Sequence, residues 1–178
     1  MSMIIDLTNI LSHMDTTENV ECTLENDRFQ LGTDAYSILD KKPFTLNLVN
    51  VMGQKLLVNG ETEIQLTVPC DRCLEDVTIS VPVKIDYEFR ISEEQIVPAE
   101  DEEYSFLSED YRELSVDAMV HDEILVNWPD KVLCRDDCKG ICPVCGQNLN
   151  KKDCGCDRVV LDPRMAKFQD IFKEFKEV

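Results

Sequence analysis

Apolar and polar residues alternate without a break from position 77 to position 89. Val77, Ile79, Val81, Val83, Ile85, Tyr87 and Phe89 are separated by Thr, Ser, Pro, Lys, Asp and Glu. A period of two puts every apolar side chain on one face, which predicts a long strand with one buried side. Pro82 falls on the polar phase; lacking an N–H, it calls for a sheet edge or a bulge. Upstream, Ile64, Leu66 and Val68 alternate with Glu63, Gln65 and Thr67, and residues 70–76 are short enough to join the two strands as a hairpin. Phe44, Leu46 and Leu48 form another alternating run, and residues 54–58 a further apolar one. Gly53 and the pair Asn59-Gly60 read as the turns between them. Residues 43–90 thus predict an antiparallel meander. Residues 3–7 add a strand, whereas 12–25 show no period and read as mobile.

The period changes further on. Ser115 is an N-cap for a helix whose Val116, Met119, Val120 and Ile124 share one face, ending before Pro129. Residues 93–113, rich in acids, read as a solvated loop. Asp162 and Pro163 are suited to the cap and first turn of a last helix. Met165, Phe168, Phe172 and Phe175 then give it an apolar stripe.

Composition narrows the class. The 178 residues carry 36 acids against 18 Lys plus Arg, a net charge of −18. An evenly acidic surface repels phosphate, which excludes a generic nucleic-acid coat protein. The charge is uneven: residues 1–130 hold 28 acids and 8 bases, −20, and residues 131–178 hold 8 acids and 10 bases, +2. That break predicts three units: an acidic β-rich domain with one helix over 1–130, a zinc-binding module over 131–160, and an amphipathic helix over 161–178. The start of the chain shows no secretory signal and no run is long enough to span a membrane, so a cytoplasmic location is expected.

Six of the nine cysteines lie between positions 134 and 156. In a reducing compartment such a cluster binds metal more readily than it forms disulfides. Cys142-Pro-Val-Cys145-Gly146 has the form of a metal knuckle. Two intervening residues let both thiolates face one ion, and glycine permits the left-handed turn that brings backbone N–H groups to sulfur. Cys154-Gly-Cys156 supplies a second pair. The expected ligands are Cys142, Cys145, Cys154 and Cys156, with Cys138 as the substitute and zinc as the metal. Cys134 and Cys138 are either spare or complete a second site with Cys70 and Cys73.

Catalytic readings of these cysteines are weaker. Cys138, Cys142 and Cys145 match the spacing of radical enzymes that hold an iron–sulfur cluster, but only 33 residues follow Cys145, too few for the barrel such chemistry needs. Cys70-Asp71-Arg72-Cys73 has the spacing of a redox dithiol, yet it sits between antiparallel strands among acids and not at a helix start. His13 and His121 are isolated, and there is no phosphate-binding glycine loop. The expectation is a protein without catalytic residues.

One family shares this order of features. Cys70-x2-Cys73-Leu74 on a hairpin, an acidic loop, a helix ending at Pro129, the run from Cys138-Lys-Gly-Ile-Cys142 through Cys145-Gly-Gln-Asn-Leu-Asn, Cys154-x-Cys156 and Asp162-Pro163-Arg164 together resemble the YceD family. The resemblance implies a non-enzymatic, cytoplasmic ribosome-biogenesis factor supporting 23S rRNA accumulation and large-subunit assembly. Its partner would be a large-subunit precursor, met through 23S rRNA or through a basic ribosomal protein, with no membrane and no small-molecule substrate. The alternatives are a thiol redox protein using Cys70 and Cys73, or a metal carrier. The expected fold is α+β: an antiparallel sheet able to curl towards a barrel, a middle helix, the C-terminal Cys-rich zinc module and a terminal amphipathic helix.

Overall fold

A computed structural model describes residues 3–98 and 103–157. In chain order the elements are β1 (Ile4–Asp6), α1 (Thr8–Ser12), β2 (Thr17–Cys22), β3 (Arg28–Leu31), β4 (Asp34–Asp40), β5 (Phe44–Val51), β6 (Lys55–Pro69), β7 (Asp76–Ser92), β8 (Gln95–Val97), β9 (Glu113–Ser115) and α2 (Val116–Val126). All strand pairs are antiparallel, and the seven-stranded main sheet curls into a half-barrel.

The long hairpin of β6 and β7 is the spine. Its register runs unbroken from Lys55↔Arg90 to Pro69↔Asp76. The opposite side of β6 is shared: β5 pairs with its first half and β4 with its second. Val81, Val83, Ile85 and Phe89 are buried and Tyr87 half-buried, while Pro82, Lys84, Asp86 and Glu88 face solvent, as the period of two requires. Along residue 82, β6 is the partner of β7 and the register passes Pro82 without a bulge; β8 joins only at 90–92. Pro82 therefore sits on a sheet edge.

Three expectations need correction. Asn59-Gly60 is not a turn, because β6 continues straight through it. Gly60 serves close approach instead: a Cβ there would lie 2.7 Å from Leu46 Cδ2 and 3.1 Å from the Thr45 carbonyl oxygen. Asn59 reaches across to Asp86 with a 2.7 Å hydrogen bond. Residues 12–25 are not patternless chain, since β2 pairs with β5 from Thr17↔Val49 to Cys22↔Phe44. An outer strand needs few apolar residues, so its polar sequence hid it. The acidic stretch 93–113 includes β8, β9 and a buried Phe106, which packs beside Tyr87 and Tyr104.

The middle helix forms where its pattern places it. Ser115 caps α2 by accepting from the Ala118 N–H, and Val116, Met119, Val120 and Ile124 are buried. Asp117, 5% exposed, accepts from three backbone N–H groups: Met3 at 3.0 Å, and Glu25 and Asn26 at 3.1 Å each. One carboxylate thus fastens the start of the chain and the β2–β3 connection to the first turn of α2. Tyr87 donates to Glu123 at 2.6 Å and ties α2 to β7. The helix expected over 161–178 lies outside the described residues.

Candidate metal centres

The β6–β7 connection forms one knuckle and residues 142–146 form another, with matching hydrogen bonds. Cys70 N–H donates to the Glu75 carbonyl and Leu74 N–H to the Cys70 carbonyl, at 2.8 and 2.9 Å. Cys142 N–H donates to the Gln147 carbonyl and Gly146 N–H to the Cys142 carbonyl, both at 2.8 Å. The residue after the second cysteine is left-handed in each, Leu74 at φ 61° and Gly146 at φ 74°. The turn directs backbone N–H groups inward at the first sulfur of each knuckle.

Two four-cysteine sets result: Cys70, Cys73, Cys134 and Cys138, and Cys142, Cys145, Cys154 and Cys156. Within each, the four sulfurs lie within 4.8 Å of one another. The four expected ligands are thus brought together. Cys138, the substitute, falls in the other set, and Cys134 joins it there. A tetrahedral ion with metal–sulfur bonds of about 2.3 Å sets its sulfurs about 3.8 Å apart. The first set shows Cys70–Cys138 at 3.8 Å and Cys73–Cys134 at 3.5 Å. The donor set fits a soft, four-coordinate ion.

The surroundings of the sulfurs favour thiolate. Burial works against ionising Cys70, but the N–H groups of Arg72, Cys73 and Cys134 outweigh it and bring the thiol down to about 6. The N–H groups of Cys145 and Val144 bring Cys142 to about 6 as well. Burial pushes Cys134 up to about 12, and the neighbouring Cys154 and Cys145 push Cys156 to about 12. Without a cation, four adjacent sulfurs cannot all ionise, so some keep protons that a metal must displace.

The two centres are built against each other. Ile141 N–H donates to the Arg72 carbonyl at 3.0 Å, and Arg72 Nη1 donates to the Cys138 carbonyl at 2.8 Å. Gly140, at φ 77°, is the point of approach: a Cβ there would be 2.9 Å from the Arg72 carbonyl oxygen. Asn150 Nδ2 donates to Cys138 Sγ at 3.2 Å. No spacing in the sequence signals that Asn150 meets the Cys138 sulfur or that the Arg72 side chain meets the Cys138 carbonyl. Lys139, Lys151 and Lys152 edge a hollow close to Cys138, and Lys151 is held by Glu75 of the first knuckle at 2.5 Å.

The family model described as "Large ribosomal RNA subunit accumulation protein YceD" matches residues 58–172. The chain belongs to the YceD family. The YceD match begins within β6 and takes in both knuckles and all eight clustered cysteines. It leaves out β1 to β5 and covers most of the spine, β8, β9, α2 and the two centres. No curated protein and no solved structure matches the chain.

Proposed function

We propose that this protein is a non-enzymatic factor of large-subunit ribosome assembly, supporting accumulation of 23S rRNA, and that each four-cysteine set holds a structural zinc. The observation that carries the reading is the family match itself, which spans every residue of both centres. Zinc suits the sites because four thiolates at tetrahedral spacing leave no open position for substrate. The first centre staples the β6–β7 connection to residues 134–138; the second closes residues 142–156 into a compact loop. No described helix is long and apolar enough to cross a membrane.

The redox alternative is weakened by geometry. Cys70 and Cys73 do not stand alone as a dithiol, because Cys134 and Cys138 converge on the same point. The decisive experiment is depletion followed by sedimentation. The 50S to 30S ratio should fall with 23S rRNA scarce or unprocessed, and the tagged protein should travel with large-subunit precursors. A normal ribosome profile, with the protein confined to the top fractions, would remove the proposal.

A further inference from the structure

A hollow open to solvent lies beside the first centre. Tyr36 from β4, Pro69 at the end of β6, Asp71 of the first knuckle, and Trp128, Pro129 and Asp130 after α2 line it. The aromatic wall is rigid: Trp128 stacks on Phe29 at 5.2 Å and on Tyr36 at 5.5 Å. Asp71 is fixed by accepting the Val132 N–H at 2.6 Å. Asp130 is exposed and makes no hydrogen bond or ion pair among the described residues. No Lys or Arg lines the hollow.

The charged side chains that line it, Asp71 and Asp130, are both acidic, and the adjoining Arg72 is turned to the Cys138 carbonyl. Residues 1–130 sum to −20. Asp71 follows the ligand-set residue Cys70, and a zinc held by four thiolates adds a charge of about −2 at that point. An anion such as an RNA phosphate is repelled from this place. A cation is drawn to it, and flat aromatic and proline walls beside carboxylates suit a guanidinium better than an ammonium. Lys139, Lys151 and Lys152 gather near Cys138 and the first knuckle, with Lys151 already engaged by Glu75. With Lys151 engaged, that lysine hollow is a poorer match for phosphate than the paired aspartates are for a basic chain.

We propose that the hollow between Trp128 and the first knuckle receives an arginine side chain from a basic protein segment, with Asp71 and Asp130 facing the guanidinium and the stacked Trp128–Tyr36 pair forming the wall beside it. This deepens the ribosome-assembly reading and rests on it, since it selects a basic protein and not RNA as the molecule held.

Trp128 is the only tryptophan in the chain, so occupancy of the hollow reports itself in the emission spectrum. The zinc-loaded full chain is titrated with a short peptide alternating Arg and Gly, with its Lys counterpart, and with single-stranded RNA of equal charge. The Arg peptide should change Trp128 emission, the Lys peptide should bind several-fold more weakly, and RNA should leave the emission unchanged. Asp130→Lys should weaken the Arg peptide about tenfold with zinc content unaltered. Glu93→Lys, the same charge change in the β7–β8 turn, should alter it less than twofold. Arg-peptide binding without any change in Trp128 emission, or equal weakening by both reversals, would overturn the site in favour of diffuse attraction. RNA competing for the same emission change would overturn it in favour of nucleic acid. If the peptide results hold but the protein does not travel with ribosomal precursors, the assembly role fails and the site stands. If it travels with them unaffected by Asp130→Lys, the site fails and the role stands.

Discussion

Leu74 and Gly146 occupy the same place in two matching turns, each left-handed after a Cys-x2-Cys pair and each donating its N–H to the first cysteine's carbonyl. Gly146 adopts this conformation without strain, and a Cβ there would meet nothing within 4 Å. Leu74 bears a cost of roughly 1 kcal/mol for the same shape. Leu74→Gly should therefore keep both metals and leave stability equal or raised by up to about 1 kcal/mol. Denaturant melts of the zinc-loaded variant decide this, and a clear loss would mean that the Leu74 side chain does more than tolerate the turn.

Metal content distinguishes two independent centres from one. The protein isolated without chelator should carry two zinc ions per chain. Cys145→Ser should lower the content to one, because the first centre shares no ligand with the second. Cys73→Ser should remove the first ion and loosen the second, since residues 138–142 lose their anchor on the knuckle. Elemental analysis of the three proteins gives the answer; one zinc in the parent and none in Cys145→Ser would reject the paired architecture.

Acid should release the metal. Ligating thiols must be deprotonated, so protons compete with zinc and affinity rises with pH. Cys134 and Cys156, pushed up to about 12, hold protons in the metal-free protein at neutral pH, whereas Cys70 and Cys142, near 6, are thiolates. As pH falls through about 6 these last two also gain protons in the metal-free form, and the affinity then declines more steeply. A chromophoric chelator should record the loss concentrated below about pH 6. Retention independent of pH between about 8 and about 5 would contradict an all-thiolate donor set.

Asp117 holds three separate segments of the fold together through one side chain. Replacing it by Ala strips the acceptor from three backbone N–H groups, a loss of about 3 kcal/mol. Asn keeps one acceptor oxygen and should recover part of that. Chemical denaturation of both variants provides the check, with zinc content expected to stay at the parent value because both centres lie elsewhere.

Gly140 tests how the two centres are joined. Alanine there places a Cβ 2.9 Å from the Arg72 carbonyl oxygen in a left-handed backbone, so residues 138–142 must shift away from the knuckle. The variant should fold with stability lowered by about 1–3 kcal/mol and give up zinc to a chelator faster than the parent. Unchanged release kinetics would show that the Arg72 contact is incidental.

Local periodicity determined a good deal by itself. The unbroken alternation from Val77 to Phe89 specified β7 and its buried face, because a period of two leaves no other way to segregate those side chains. Ser115 and the spacing of Val116, Met119, Val120 and Ile124 specified α2 in the same way. Cys142-x2-Cys145-Gly146 specified a knuckle, since the turn that presents sulfur is made within five residues. What failed were signals whose meaning depends on a neighbour. Asn59-Gly60 reads as a turn in isolation, but in the fold the glycine makes room for Leu46. The polar residues of β2 become a strand only because β5 offers an edge. The partners of Cys134 and Cys138 could not be chosen from spacing, for Cys70 and Cys138 stand 68 residues apart and meet at 3.8 Å only after β6 and β7 have folded back on each other. Sequence determines contacts made within a turn or a single element; contacts across the chain belong to the packing that brings distant elements to one place.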